Sequence, residues 1–390
     1  RWLQQTLQEA VQWEASDIHI EPHEMGARIR MRIDGVLQET ASIECDLRDH
    51  VTSRIKILSH LDIAQRRIPH DGRMRAQVGS HTLDCRVSTL PVLMGEKVVI
   101  RLLQPNAEHK ELSSLGYTPE QLETVLSCIH APQGLVLMTG PTGSGKTVSL
   151  YGCLQALNDT HLNISTVEDP VEIELPGLNQ VQLNERAGLD FASALRAFLR
   201  QDPDVLMVGE IRDLQTADLA VKAAQTGHLV MSTLHTQDAP SAVSRLVGMG
   251  VAPYLLSDSL TLVTAQRLIR RLCEHCKVAV NHTDAALRQA GMSEAQAAEQ
   301  GKSWQAYEAY EAYAAHSCPA CHQGRRGRVG VFEVMPIDTE IRALMVSGAA
   351  TASLCAQARR QGMLTLRQAA LLHFQAGCCS LEDVLNATCA

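Results

Sequence analysis

The sequence predicts an α/β protein in which a parallel sheet with helices on both faces carries the chemistry. A smaller strand-rich α/β domain precedes it, and a cysteine-bearing insertion and a helical tail follow. Three observations predict this. Short apolar runs alternate with helical segments between Gly134 and about Met249, one of those runs opens into a glycine-rich loop and a helix, and two CxxC pairs come after the last run. A length of 390 residues agrees with two to three domains of roughly 100 to 200 residues each.

Composition removes several classes of function. Hydrophobic residues at 45% and charged residues at 20% describe a globular chain, and no apolar stretch approaches the ~20 residues that a bilayer span needs, so membrane-spanning, disordered and fibrous classes are excluded. Lys and Arg number 35 against 43 Asp and Glu, a net charge of −8, and aromatic residues are 3%. Nucleic-acid affinity rests on cations that neutralise phosphates and on rings that stack on bases, so no nucleic acid is expected as a partner.

The chain opens on Arg1-Trp2-Leu3 without an initiator Met, so a cut-away N-terminal piece is expected to precede it. The first turns read as an amphipathic helix through Leu3, Leu7 and Val11 and not as a signal peptide. From Ser16 to about Leu103 the pattern is strand-rich. Arg28, Arg30 and Arg32 alternate with Ile29, Met31 and Ile33 before Asp34-Gly35, which predicts a half-buried strand and a hairpin. A helix is expected around Leu47 to Leu61, then a turn at Pro69-His70-Asp71-Gly72-Arg73, then strands over Leu83 to Val87 and Val98 to Leu103. The polar stretch from Gln104-Pro105-Asn106 marks a linker.

In the central region the apolar runs are Gly134 to Thr139, Asn163 to Val167, Asp204 to Val208 and Leu229 to Leu234, with helices expected over Lys146 to Leu157, Asp190 to Arg200 and Leu214 to Thr226. Buried strands alternating with helices imply a parallel sheet, whose ligands gather at the carboxyl ends of the strands. Cys273 to Gly330, with its Tyr-Glu-Ala repeat at Tyr307 to Tyr313, lacks this rhythm and reads as an inserted module without a hydrophobic core of its own. From Val331 onward the pattern is read as helical.

Gly140-Pro141-Thr142-Gly143-Ser144-Gly145-Lys146-Thr147 is a complete phosphate-binding loop between an apolar strand and a helix. Its glycines let backbone N–H groups converge on phosphate oxygens, Lys146 reaches the β and γ phosphates, and the Thr147 hydroxyl can ligate Mg²⁺. Hydrolysis needs one carboxylate near the metal and another to orient or deprotonate water. Two acidic strand ends can supply them: Glu168-Asp169-Pro170-Val171-Glu172 and Gly209-Glu210. The usual second motif of such proteins ends its strand in Asp, whereas this strand ends in Gly209-Glu210. His228 and His235 flank one strand at opposite ends, which disfavours a shared metal and assigns His235 to sensing of the γ-phosphate.

Cys273, Cys276, Cys318 and Cys321 form two CxxC pairs 41 residues apart. The alternatives are one zinc ion, two vicinal disulfides or buried free thiols. Closing so long a loop costs on the order of 1 kcal/mol more than a short one, while structural zinc contributes roughly 10 to 16 kcal/mol, so zinc is expected, with His275 and His322 ranked below the thiolates. The twelve cysteines of so large a chain suit a reducing compartment; Cys45, Cys85, Cys128, Cys153, Cys355, Cys378, Cys379 and Cys389 show no pairing pattern. Arg73, Arg86 and Arg101 are solvated surface groups or cations delivered to a transferring phosphoryl group, for which the central sheet offers no obvious cation of its own beyond Lys146, except Arg212.

Together these motifs resemble the secretion ATPase superfamily, specifically the assembly ATPases of type II secretion and type IV pilus systems. The matching stretches are Ser16-Asp-Ile-His-Ile-Glu21, Arg30-Met-Arg-Ile-Asp-Gly35, Pro69 to Arg73, the phosphate loop, Glu168 to Glu172, Asp202 to Arg212, Gly227 to His235 and the four cysteines, in family order from about residue 15 to 335. The resemblance implies a PAS-like domain over 1–104, a RecA-like ATPase domain over 105–272, a zinc module over 273–330 and a helical subdomain over 331–390. It implies a homo-hexameric motor using ATP, Mg²⁺ and Zn²⁺, cytoplasmic and peripheral to the inner membrane through platform and cytoplasmic-adaptor proteins. The position matching Glu172 is associated with activating water, that matching Glu210 with Mg²⁺, and those matching Arg73 and Arg86 with nucleotide in the closed state. The tetracysteine set favours an assembly motor over a retraction motor. His70 departs from the Gln of many relatives. The alternatives from other classes are a nucleotide-gated scaffold with little turnover and a RecA-like DNA translocase.

Overall fold

Period-two alternation of charge and hydrocarbon organises the first quarter of the chain. The structure, a computed structural model, describes residues 2–79, 81–103, 111–299, 303–305, 318–321 and 323–388; the linker at Gln104-Pro105-Asn106, the Tyr307 to Tyr313 repeat, His322 and Cys389 lie outside them. The chain divides into two compact units, 1–108 and 109–390. In the smaller unit α1 (Trp2–Gln12) leads into β1 (Asp17–His23), β2 (Gly26–Ile33), β3 (Val36–Glu44), α2 (Cys45–Leu58), β4 (His70–Val78), β5 (His81–Val92) and β6 (Gly95–Leu103). The strands make one antiparallel sheet in the order β3-β2-β1-β6-β5-β4. Ile29, Met31 and Ile33 are buried with Ile18, Ile20, Val98 and Ile100, and the arginines between them share the opposite face with Asp17 and Glu21. Asp34 and Gly35 both take positive φ, 49° and 86°, as a two-residue hairpin of primed type requires.

The expected turn at Asp71-Gly72 is corrected: both residues lie within β4. A Cβ on Gly72 would stand 2.5 Å from the Ser59 carbonyl oxygen, so this glycine permits close approach to the end of α2 and does not turn the chain. The loop between α2 and β4 is anchored by Lys56, 1% exposed, which meets Glu96 at 2.8 Å and donates to the Gln65 carbonyl at 2.6 Å.

In the larger unit the elements are α3 (Pro119–Ile129), β7 (Gly134–Thr139), α4 (Lys146–Leu157), β8 (Ile164–Glu168), β9 (Asn179–Gln182), α5 (Phe191–Phe198), β10 (Val205–Val208), α6 (Leu214–Gln225), β11 (Leu229–Leu234), α7 (Ala239–Met249), α8 (Pro253–Ser259) and β12 (Leu260–Leu272). There follow β13 (Val278–Val280), α9 (Asp284–Gln289), α10 (Glu294–Glu299), β14 (Ser303–Gln305), β15 (Arg325–Pro336), α11 (Thr339–Val346), α12 (Thr351–Arg360), α13 (Leu366–Gln375) and α14 (Leu381–Thr388). The main sheet runs β15-β12-β7-β11-β10-β8-β9, parallel from β12 to β9, with β15 antiparallel at the edge. Along β7, Leu135 and Leu137 enter one core and Val136 and Met138 the other, which is why this run is apolar throughout.

Two expectations fail here. Residues 331–336 are not helical; they complete β15, with Val331 opposite Arg267, and the helical tail starts at α11. Val331 to Met335 is buried on both faces, and a continuous buried run carries no period that separates strand from helix. The cysteine-bearing segment also has a core: Leu287, Ala290, Met292 and Ala297 pack with Ile269 of β12, Val331 of β15 and Ala370 and Phe374 of α13. The last helix, α14, is locked to this body by Asp383, 2% exposed in its side chain, which pairs with Arg270 at 2.7 Å and Arg325 at 3.0 Å and accepts from Ser380 at 2.6 Å. Among the described residues no helix is long and apolar enough to cross a membrane.

Candidate active site

Parallel pairing puts the ends of β7, β11, β10 and β8 side by side, and every nucleotide-directed residue expected in the larger unit follows one of these four strands. The glycine loop leaves β7 after Thr139. Gly140, Gly143 and Gly145 take φ of 146°, 78° and 88°, a backbone that L side chains resist, and Gly145 caps the first turn of α4. A Cβ on Gly140 would lie 2.5 Å from Ser144 Oγ and 2.6 Å from the Gln266 carbonyl oxygen. Lys146 is 9% exposed and donates to the carbonyls of Gly140 at 2.8 Å and Pro141 at 3.0 Å. Three buried side-chain oxygens around the loop, Thr139 Oγ1, Ser144 Oγ and Gln266 Oε1, have no hydrogen-bond partner. A cradle that only glycine can form, beside a buried ammonium bonded to loop carbonyls, fits a phosphate chain. Thr147 stands exposed at the start of α4.

Glu210 is fixed by its neighbours on both sides. Gly209 N–H donates to the Val167 carbonyl at 2.8 Å, Thr233 Oγ1 donates to the Gly209 carbonyl at 2.7 Å, and Ile211 N–H reaches the Thr233 carbonyl at 3.1 Å. The Glu210 carboxylate pairs with Arg212 and lies 3.6 Å from His235 Nε2. The Arg212 hydrogen bond holds the Glu210 carboxyl below its usual range against the opposing effect of burial, and the charges of Arg212, His235 and Lys146 add to the lowering. Burial draws the Lys146 ammonium below its usual range, Glu210 opposes this, and Arg267 reinforces it. Lys146, Glu210 and His235 therefore share one electrostatic neighbourhood. His228 lies at the other end of β11, bonded to the Ala223 carbonyl at 3.0 Å.

Arg212 also reaches Asp169 at 3.9 Å, so it bridges the two acidic strand ends and is no cation held in reserve. The sheet does carry another: Arg267, half-buried on β12, donates to the carbonyls of Gln237 at 3.0 Å and Gln266 at 3.2 Å, and its charge is felt at Lys146. Its neighbour Gln266 donates to the Ser144 carbonyl at 2.9 Å and so supports the loop. Glu172 is exposed on the segment after β8, whose N–H groups at Glu172 and Ile173 donate to the hydroxyl of Tyr151 on α4. Arg267, Gln266 and Tyr151 escaped sequence reasoning because nothing local marks them; strand order and helix docking bring them to the loop.

In the smaller unit Arg73, Arg86 and Arg101 stand directly opposite one another across β4, β5 and β6. The row continues into Asp17, 2.9 Å from Arg101 and 3.7 Å from Arg32. An open surface cavity lies over Asp71, Arg73, Arg86, Ser88 and Arg101. Like charges facing one another across strands destabilise a sheet, so this row is better suited to an anionic ligand than to folding.

The four cysteines Cys273, Cys276, Cys318 and Cys321 bring their sulfur atoms within 4.8 Å of one another, with Cys276 to Cys321 at 3.5 Å and Cys273 to Cys318 at 4.0 Å. Four thiolates on a tetrahedron of ~2.3 Å metal–sulfur bonds would lie about 3.8 Å apart, so the set fits one metal ion. It is the one such cluster among the described residues.

The model for type II/IV secretion system proteins matches residues 1–386. The chain belongs to that family. Over 389 residues it is 45% identical to the type IV pilus assembly ATPase PilB of Acinetobacter baylyi, covering 100% of this chain and 66% of that protein. It is 46% identical over 389 residues to the type II secretion system protein HxcR of Pseudomonas aeruginosa, covering 100% and 77%. Among solved structures it matches the pilus retraction motor PilT with bound ADP at a TM-score of 0.62 and 25% identity, covering 98% of this chain and 96% of that one. The ATPase DotB of Legionella pneumophila shares the fold at a TM-score of 0.68. The chain thus spans about two thirds of the length of the pilus ATPase from A. baylyi.

Proposed function

We propose that this chain hydrolyses ATP in a Mg²⁺-dependent reaction and works as a homo-hexameric motor that assembles a type II secretion pseudopilus or a type IV pilus. The observation that carries the reading is Lys146: a buried ammonium at the glycine loop, bonded to loop carbonyls and coupled electrostatically to Glu210 two strands away. Lys146 exchanges the Gly140 and Pro141 carbonyls for phosphate oxygens, which the backbone N–H groups of the loop also receive. Thr147 and Glu210 would hold Mg²⁺, which would supply charge neutralisation to the phosphates. Glu172 orients the attacking water, and His235 beside Glu210 senses the γ-phosphate. Arg73 and Arg86 act as cations delivered from a neighbouring subunit, a role supported by their facing one another in the smaller unit. Cys273, Cys276, Cys318 and Cys321 hold one structural Zn²⁺. We assign residues 1–104, 105–272, 273–330 and 331–390 to the small domain, the ATPase core, the zinc module and the tail, except that β15, which crosses the last of these boundaries, joins the core sheet and leaves the helical tail to begin at α11. Partners are the inner-membrane platform and cytoplasmic adaptors of the system, reached from the cytoplasm.

Phosphate release with matched measurements of nucleotide binding tests this. Lys146→Ala should abolish turnover, while Glu172→Gln and Glu210→Gln should bind ATP and turn over orders of magnitude more slowly. Wild-type turnover in both glutamine variants refutes the assignment; binding without turnover in the unaltered chain makes it a nucleotide-gated scaffold. Mixing Arg73→Ala with Lys146→Ala should restore activity in mixed rings, and no restoration would refute delivery from a neighbouring subunit.

A further inference from the structure

Tyr151 lies five residues beyond Lys146 on α4 and is 5% exposed. Its hydroxyl donates to the Glu168 carboxylate and accepts the N–H groups of Glu172 at 3.2 Å and Ile173 at 3.4 Å. One donor and two acceptor positions use the whole capacity of a phenol oxygen. Glu168, itself 3% exposed, also accepts from Thr166 Oγ1 at 2.6 Å and Gln180 Nε2 at 3.3 Å. Gln180 closes the network by donating to the Ile173 carbonyl at 3.0 Å and accepting from Leu175 N–H at 2.7 Å. The segment from Val171 to Leu175 belongs to no strand or helix, so these side chains take over the work that a backbone ladder does elsewhere. Burial and the neighbouring Glu168 hold the phenol protonated by raising its pKa, which keeps the donor available throughout the neutral range.

We propose that Tyr151 is a positioning residue for hydrolysis: its hydroxyl fixes the acidic segment to the helix that begins with Lys146, and so sets where Glu172 stands relative to the bound phosphates. The inference rests on the reading of Glu172 as the water-orienting group. Both ends of the link matter. Lys146 and Tyr151 are one rigid helix, so the carboxylate that faces water and the ammonium that faces phosphate are indexed to the same element. A displacement of ~1 Å in such a group can cost about 10²-fold in rate.

Tyr151→Phe keeps the ring and its packing and deletes the oxygen. It should bind ATP within about twofold of the wild type, since the glycine loop and Lys146 are untouched, and its kcat should fall roughly tenfold to a hundredfold with little change in KM. Hydrogen exchange should quicken at the Glu172 and Ile173 amides while β7 stays protected. Combined with Glu172→Gln, it should slow turnover no further, because a misplaced base and an absent base are equivalent. Wild-type kcat in Tyr151→Phe beside a slow Glu172→Gln would overturn the positioning role alone. Wild-type turnover in Glu172→Gln would overturn the water-orienting reading and this inference with it. Loss of ATP binding or of β7 protection in Tyr151→Phe would make the hydroxyl a general support of the fold, and that too overturns the proposal.

Discussion

Replacing Cys273 with serine separates what a metal does for the cysteine-bearing segment from what its hydrocarbon does. Sharing roughly 10 to 16 kcal/mol of apparent zinc affinity among four thiolates assigns roughly 2.5 to 4 kcal/mol to each, about 10²- to 10³-fold in affinity. Cys273 is 3% exposed, so water does not replace the lost ligand freely. The apolar contacts of the segment are independent of the ion: Leu287 and Met292, 2% and 5% exposed, each contribute about 1.5 to 3 kcal/mol by burial against β12, β15 and α13. The metal should therefore secure the two CxxC turns while α9 stays docked without it. Elemental analysis of reduced, metal-replete protein should find one zinc per chain in the wild type and much less in Cys273→Ser. Hydrogen exchange should show protection lost at 273–277 and kept at 284–289 and in β7. A wild type without zinc would refute the metal, and an α9 that exchanges as fast as the cysteine turns would refute the independence of its core.

Three further outcomes follow from charges and close contacts. Burial would raise the Glu21 carboxyl, but hydrogen bonds from Arg30, Lys97 and Arg28 bring it from 4.5 to about 2. A depressed folded value means stabilisation present above about pH 4.5 and lost as pH falls toward 2, about 3 kcal/mol in all, so Glu21→Gln should flatten that limb of the stability curve; an unchanged acid limb contradicts this. Asp383→Asn leaves Arg270 without its partner and Arg325 with only Glu382, at 3.2 Å, and should cost roughly 3 kcal/mol, read as a lower Tm with early exchange in α14; an unshifted Tm would show the lock to be dispensable. Gly140→Ala should fold yet lose at least about tenfold in ATP affinity, because its methyl group meets Ser144 and Gln266 at a φ that alanine resists; wild-type binding would show that the loop yields.

The legibility of the site followed sequence distance. The glycine loop, Glu168 to Glu172 and Gly209-Glu210 are contiguous, and their flanking runs are apolar because both faces of the sheet are covered, so their side-by-side arrangement at the strand ends could be read in advance. Tyr151 and Arg267 reach the site through the docking of α4 on β7 and β11, which brings the Tyr151 hydroxyl to Glu168, and through the pairing of β12 with β7, neither of which the residues themselves advertise. The edge strand β15 was misread because Val331 to Met335 is buried on both sides, and Arg73 because His70, Asp71 and Gly72 are common turn formers. In β4 the glycine instead answers to the Ser59 carbonyl, a contact made by a helix end thirteen residues earlier.

Strand β12 fixes which length changes this protein can accept. It presents Gln266 to the glycine loop and ends one residue before Cys273, so nucleotide loop and cysteine cluster are separated by seven residues of extended chain, roughly 23 Å at 3.3 Å per residue. From Gln266 to Arg270 that interval is counted in whole residues with alternating faces, so adding or removing one there would turn the glutamine to the wrong side of the sheet; the ladder with β15 shifts register only beyond Arg270. The interval of 41 residues between the two CxxC pairs obeys a different law: α9 and α10 within it are held by their packing on β12, β15 and α13, while doubling the length of a connection costs only about 0.6 kcal/mol. Insertions and deletions accumulated over evolutionary time should therefore collect in the connections between Cys276 and Cys318, outside α9 and α10, and be absent between Gln266 and Arg270, making the first a place to graft foreign sequence and the second a ruler that cannot be recut.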